Sequence, residues 1–342
     1  MEADMVHQTA VGRLAPSPTG ALHLGNARSF LLAWLSARRQ NGQVILRIED
    51  LDSPRVKPWS LASTIDDLQW LGLDWDTGPT SKDSLSGDSA HLQSSRLARY
   101  HEVFAALQNS GRIYPCTCSR KDVEEALSAP HDLSAAEGLT ALEGPIYPRT
   151  CFRRFQNKLP PQDTGRIAYR WHFEEDQIEW RDDLLGQQKC SPAKQLGDFV
   201  LARGDRTPAY QLAVVVDDYD MGVTEVIRGD DLVASTFRQI SLLQALGWPG
   251  PKYTHLPLMV GSDGRRLAKR HGDTRLGYFR QLGITPEAIV GYLAWSCGLL
   301  PEPIRISPAQ LIPHLDWTKI RRQNTIFNHE KGIRELQELS SG

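Results

Sequence analysis

The chain has 342 residues, a formal net charge of −2 and five cysteines. That length suits two or three compact units. The near-neutral balance excludes a globally basic body, so an RNA partner has to be held through a local patch, and an odd, scattered cysteine set argues against a disulfide framework. The opening M-E-A-D-M-V-H-Q-T-A lacks a signal pattern, and the apolar run from Ala288 to Leu300 is too short and interrupted to span a bilayer. The expectation is a cytoplasmic protein with no membrane partner.

Arg13 opens R-L-A-P-S-P-T-G-A-L-H-L-G-N, which ends at Asn26. An apolar start, a loop stiffened by Pro16 and Pro18, then His23 and Gly25 at the mouth of a helical pattern set a ring nitrogen and free backbone N–H groups where phosphates bind. Two readings stand at this point: an ATP site, or a strand followed by a proline-rich turn. From Ala27 to Arg39, Phe30, Leu31, Trp34 and Leu35 fall at helical spacing, and Asn41-Gly42 stops the helix. Val44 to Ile48 is a β-branched apolar run suited to a buried parallel strand. Strand, loop, helix, strand is the first half of a nucleotide-binding α/β sheet, whose ligands sit outside the carboxyl ends of the strands. Glu49 opens the acidic cluster E-D-L-D with Asp50 and Asp52. It suits recognition of an ammonium group, or a helix cap.

Cys116 and Cys118 form a C-x-C turn after Pro115, and Cys151 follows in Y-P-R-T-C with Tyr147 four residues earlier. Two thiolates from a turn and a third from a returning segment make three corners of a tetrahedral zinc site, with Tyr147, ahead of His131, as the fourth. The alternative is three buried reduced thiols. Cys190 and Cys297 have no partner in view.

Pro208 to Asp218 predicts a second buried strand, closed by Asp217 and Asp218. V-T-E-V-I-R-G-D-D-L then predicts a strand ending at Arg228, and Ser235 to Leu246 a helix. An arginine at a strand end suits a bidentate grip on a substrate carboxylate, or an ion pair with Asp230 or Asp231. From Gly261 to Asp273, G-S-D-G-R-R-L-A-K-R-H-G-D is a glycine-bounded basic loop in which Lys269 suits charge neutralisation on a polyphosphate. Arg265, Arg266, Lys269, Arg270, Arg275 and Arg280 cluster here, as an RNA-facing patch or a solvated face. Pro286 to Leu299, Pro308 to Leu315 and His329 to Leu339 carry helical patterning.

Together these motifs resemble the class I aminoacyl-tRNA synthetases of the glutamyl type. H-L-G-N is similar to their H-I-G-H element and R-L-A-K-R to K-M-S-K-R. R-x-A-P-S-P-T-G, R-I-E-D-x-D, A-Y-x-x-A-x-V-V-D-D and R-G-x-D-L extend the likeness from about Gly12 to Lys269. Asn26 departs from the second His, Arg266 from the first Lys and Ala268 from the Ser of those elements. Within that branch the resemblance is to the paralogues that glutamylate queuosine in tRNA(Asp). Val214 stands where tRNA-charging relatives carry Asn, and the C-x-C and Y-x-x-x-C arrangement resembles their zinc site. The residues after Arg270 give room for a small helical domain rather than a further anticodon-binding region.

The resemblance implies an α/β fold: a Rossmann-like parallel sheet, the class I synthetase catalytic core, with a zinc-bearing insertion and a small C-terminal helical domain. It divides the chain into two halves of the nucleotide-binding domain at 1–114 and 191–255, a connective insertion at 115–190, and a basic loop with a helical stem-contact domain at 256–342. It implies an ATP site at His23, Gly25, Asn26 and Lys269, with His23 and Lys269 catalytic and Mg2+ accompanying the nucleotide. Glutamate falls to Arg13, Leu14, Ala15, Pro16, Ser17, Glu49, Tyr210 and Arg228, and a structural Zn2+ to Cys116, Cys118, Tyr147 and Cys151. L-glutamate, its side-chain carboxylate on Arg228 and its ammonium near Glu49, attacks the α-phosphorus of ATP and expels pyrophosphate. A hydroxyl of the queuosine cyclopentene ring, in the anticodon stem-loop of tRNA(Asp), then takes the glutamyl group. A monomer is expected. Two other readings stay open: a truncated glutamyl-tRNA synthetase that charges a 3′ end, and a non-catalytic RNA-binding relative, which Ala268 suggests.

Overall fold

The computed structural model describes residues 9–51, 56–81, 90–119, 121–123, 146–155, 166–267 and 271–341. Asp52, His131, Ala268, Lys269, Arg270 and nearly all of the 119–145 segment lie outside the described residues.

Strand β1 (Val11–Leu14) leads through the proline loop into α1 (Leu24–Arg39) and returns as β2 (Gln43–Leu46), parallel to β1 with Arg13 opposite Ile45. The helix forms where the apolar spacing predicts, with one added turn, because His23 caps its start. Asn41, at φ 51°, ends it in the left-handed region that Asn tolerates. Gly42 follows because a Cβ there would lie 2.3 Å from the Ala10 carbonyl oxygen. Ala27, Leu31, Leu32 and Leu35 on α1 are fully buried, each large side chain contributing about 1.5–3 kcal/mol.

Helices α2 (Pro58–Trp70) and α3 (Leu97–Gln108) precede β3 (Ile113–Cys116), α4 (Thr150–Phe155), β4 (Ala168–Trp171), β5 (Ile178–Asp182), β6 (Gly186–Cys190) and β7 (Phe199–Ala202). Next come α5 (Tyr210–Asp220), β8 (Glu225–Gly229), α6 (Val233–Leu246), β9 (Lys252–Leu256) and β10 (Met259–Val260). The carboxyl part holds α7 (Leu276–Gln281), α8 (Pro286–Ser296), β11 (Thr325–Ile326) and α9 (His329–Ser341).

The largest ladder runs β6-β5-β9-β8, with β9 parallel to both β5 and β8 and the β5–β6 hairpin antiparallel. β1 lies beside β8: Val11 N–H donates to Thr224 Oγ1 at 2.8 Å, and Thr224 N–H to the Val11 carbonyl at 3.0 Å. The two parallel ladders therefore abut, and their carboxyl ends open into one crevice. β3, β4 and β7 form a separate antiparallel sheet. The 115–190 stretch, read as an insertion, thus also contributes β5 and β6 to the main sheet. One apolar core joins α1, β1 and β2 to the carboxyl helices, and a second lies among α3, α5, α6 and β7.

Two local expectations need correction. Pro208 to Asp218 is not a strand: Tyr210–Asp220 is helix, buried continuously from Leu212 to Asp218. A segment covered on all sides has no polar face, so its apolar run carries no period that separates strand from helix. The carboxyl region is not wholly helical either, since β10 and β11 pair in parallel within it.

Candidate active site and cysteine cluster

The crevice at the carboxyl ends of β1, β2 and β8 is a cavity of about 560 Å³. Arg13, Ala15, Pro16, Ser17, His23, Gly25, Asn26, Glu49, Tyr210 and Arg228 all line it. Leu14 instead turns wholly into the core, as the inward residue of a strand whose neighbour Arg13 faces the crevice. Lys269 lies outside the described residues, but Arg266 of the same loop lines the cavity and pairs with Asp231 at 2.8 Å.

The loop between β1 and α1 is held in register with β2, since Glu49 N–H donates to the Pro16 carbonyl at 3.0 Å. Gly25 N–H donates to His23 Nδ1 at 3.2 Å. That bond fixes Nδ1 as the acceptor and leaves the ring proton on Nε2. Burial, with a smaller contribution from the Arg266 charge, lowers the His23 pKa to about 4, so the ring is neutral near pH 7.

Beneath the crevice lies a charge network centred on buried Arg47. Arg47, 0% exposed, donates to Asp218 at 2.6 Å and to Glu49 at 3.1 Å, and its Nε is 3.7 Å from Asp217. Asp218 is also 3.7 Å from Arg13 Nε. Burial raises the Glu49 pKa, with Arg47 and Arg13 opposing that shift. It also lowers that of Arg13, against the pull of Asp218. Glu49 thus pairs with Arg47 rather than capping a helix.

Arg228 does not bond to Asp230 or Asp231. Its NH2 donates to Thr236 Oγ1 at 2.7 Å and Gln239 Oε1 at 2.8 Å, and its Nε to His255 Nε2 at 3.1 Å. NH1 is buried and has no hydrogen-bond partner among the described residues, which leaves one end of a cationic fork for an anion. Sequence reasoning missed Arg47, Thr236, Gln239 and His255. An arginine inside the apolar run of residues 44–48 was the one available signal, because such a charge must be paired when buried.

The cysteine cluster sits apart, against β3 and α4. The sulfurs of Cys116, Cys118 and Cys151 all lie within 4.8 Å of one another. Tyr147 Oη is 3.4 Å from Cys116 Sγ and 3.6 Å from Cys118 Sγ, and it accepts from Cys151 N–H at 2.9 Å. Arg170 completes the surroundings, with Nε 3.2 Å from Cys116 Sγ and its guanidinium 3.8 Å from the Tyr147 ring centre. Cys190 and Cys297 are buried elsewhere, in the second and first cores.

The family profile described as tRNA synthetases class I (E and Q), catalytic domain, matches residues 9–331. A Rhodopirellula baltica protein named glutamyl-Q tRNA(Asp) synthetase is 47% identical over 333 residues, covering 94% of this chain and 97% of that protein. A protein of the same name from Symbiobacterium thermophilum is 48% identical over 314 residues, covering 91% and 94%. Among solved structures, a glutamate tRNA ligase from Elizabethkingia meningosepticum, in complex with its amino acid, superposes with a TM-score of 0.77 at 25% identity. That match covers 97% of this chain and 69% of the ligase.

Proposed function

The chain belongs to the class I tRNA synthetases of the glutamyl and glutaminyl type, and on that premise we propose that it activates L-glutamate with ATP and transfers the glutamyl group to queuosine in tRNA(Asp). The activation step rests above all on one observation: a phosphate-type loop and an arginine with a free terminal nitrogen, Arg228, line the same crevice. The choice of acceptor rests on the near full-length likeness to relatives named for that reaction.

Glutamate's side-chain carboxylate is held at Arg228 NH1, and its ammonium near Glu49, whose side chain Arg47 fixes in place at 3.1 Å. An oxygen of the α-carboxylate attacks the α-phosphorus of ATP. The α–β bridging bond breaks and pyrophosphate leaves. No covalent enzyme intermediate is required, so the protein's contribution is alignment and charge stabilisation. His23 Nε2–H faces the phosphates, while Arg266 and Lys269 supply positive charge from the basic loop. Mg2+ would accompany the nucleotide. In the second step a queuosine cyclopentene hydroxyl attacks the adenylate carbonyl and AMP leaves. The anticodon stem-loop then lies over the crevice, held by shape, backbone phosphates and stacking. The protein acts as a monomer in this reading.

The cysteine cluster fits a structural Zn2+. Zinc–sulfur bonds of about 2.3 Å set the corners of a tetrahedron about 3.8 Å apart, and Cys118 Sγ lies 3.6 Å from Tyr147 Oη and 3.4 Å from Cys151 Sγ, in accord with that. Arg170 places its guanidinium beside that donor set, with Nε donating to Cys116 Sγ and the cation over the Tyr147 ring. Cys116, Cys118, Tyr147 and Cys151 would hold the ion, which would tie β3 to α4.

Incubation with ATP, labelled glutamate and tRNA(Asp) with or without queuosine tests the proposal. Label should require queuosine and survive removal of the 3′ end. Label confined to the 3′ adenosine would favour 3′-end charging instead, and absence of glutamate-dependent ATP–pyrophosphate exchange would favour a non-catalytic protein.

A further inference from the structure

His255, on β9, and Asp182, at the end of β5, lie under Arg228 and are themselves 0% and 1% exposed. Asp182 Oδ2 is 2.7 Å from His255 Nδ1, and that carboxylate also accepts backbone N–H bonds from His255 at 3.0 Å, Leu184 at 2.9 Å and Leu185 at 2.7 Å. With its acceptors so engaged, Asp182 has a fixed orientation, and as a carboxylate it can only accept. The His255 proton therefore resides on Nδ1. On the other side of the ring, Nε2 faces Arg228 Nε at 3.1 Å and the Thr236 hydroxyl at 3.0 Å. A guanidinium can only donate, so Nε2 must be the bare, accepting nitrogen. Both neighbours demand the same neutral tautomer. Burial, despite the Asp182 hydrogen bond, lowers the His255 pKa to about 4, which agrees with a neutral ring. Trp180, with its ring centre 5.5 Å away, packs against the imidazole and limits its rotation.

We propose that Asp182 and His255 form a positioning pair that locks the Arg228 guanidinium, so that NH1 alone is left to take a ligand carboxylate and a carboxamide is disfavoured there. This rests on the reading that Arg228 holds the glutamate side chain. The chain of bonds accounts for each nitrogen of Arg228: Nε goes to His255, NH2 to Thr236 and Gln239, and NH1 to the substrate. Gln239 is fixed in turn, since its Nε2 donates to Gln211 Oε1 at 3.1 Å. Were the His255 proton on Nε2, two donors would oppose each other and the guanidinium would have to rotate, taking NH1 with it. The pair touches no substrate atom and acts only through Arg228.

Two isosteric variants separate the roles of the two ring nitrogens. His255→Gln can offer an amide oxygen where Nε2 stood, whereas His255→Asn offers an amide only where Nδ1 stood. In glutamate-dependent ATP–pyrophosphate exchange, His255→Asn is expected to raise the KM for glutamate about tenfold or more, as expected for loss of a bond to a charged group. Its kcat and ATP KM should move little, and inhibition by glutamine should strengthen relative to glutamate. His255→Gln should restore most of the glutamate KM. Equal glutamate KM values for the two variants, or a loss confined to kcat or to ATP KM, overturns the proposal. Melting temperatures are measured alongside. If His255→Asn does not fold, Thr236→Val replaces it, with a raised glutamate KM expected and an unchanged one overturning the proposal. A wild-type protein with no glutamate-dependent exchange defeats the underlying reading of Arg228, and the pair with it, an outcome distinct from an active wild type beside unaffected variants.

Discussion

The two ring nitrogens of His23 face different partners. Nδ1 accepts the Gly25 amide and starts α1, while Nε2–H is left for the crevice. In His23→Asn the amide keeps a good cap but loses that donor, so the variant should melt near the wild type while ATP–pyrophosphate exchange falls about 100-fold. Burial also makes the histidine a pH-dependent element of stability. Its folded pKa of about 4 lies below the ordinary 6.5, so between these values the unfolded chain binds the proton and the folded chain does not. The unfolded state then holds more protons, and stability rises with pH across that window. Wild type should therefore lose stability relative to His23→Asn as pH drops from about 6.5 towards 4, as measured by urea unfolding at several pH values. A constant difference would contradict the neutral buried ring. Arg47 poses the opposite case, a buried charge with three carboxylate neighbours. Arg47→Met should cost about 3–5 kcal/mol, because it strands Glu49, Asp217 and Asp218. A loss under about 1 kcal/mol in the same urea measurement would show that the network is dispensable.

Among the elements, α8 shows how a glycine can be required inside a helix. A Cβ on Gly291 would sit 1.6 Å from the Ile304 carbonyl oxygen, so the segment after the helix packs directly on its backbone. Alanine is the better helix former by about 1 kcal/mol, yet Gly291→Ala should lower stability by about 3 kcal/mol or more, since the clash is with backbone that cannot move aside. Thermal or urea unfolding checks this, and a neutral or stabilising result would place the 304 segment elsewhere. Elements with two distinct faces or clear stop signals were legible in the sequence: α1 from its apolar spacing and Asn41, β8 from Val226 and Ile227. The crevice was legible too, because its loop and strand-end residues sit next to proline, glycine or acidic markers. What sequence could not reveal were partnerships between distant segments. Arg47 bonds Asp218 across 171 positions, and nothing local at either end announces the other. The Val214-Val215-Val216 run misled for a related reason. Burial on every side erased the polar face by which a helix is recognised.

At the scale of the whole molecule, the cysteine cluster and the crevice share no lining residue. Metal analysis should find one zinc per chain, and Cys116→Ala combined with Cys118→Ala should abolish it and lower the melting temperature while glutamate-dependent exchange persists. Fully active wild-type protein that contains no metal would refute a structural zinc. The adjacency of β1 and β8 has a different kind of consequence. Arg13 donates to the Ile227 carbonyl across 214 positions, so the crevice has one wall near the start of the chain and the other far downstream. During synthesis the amino-terminal loop leaves the ribosome long before the strand that completes it. Closing so long a segment is a slow search, and until it ends no pocket exists for either ligand. Nucleotide and amino acid can therefore stabilise only the finished protein, and a nascent chain halted before β8 gains no protection from either.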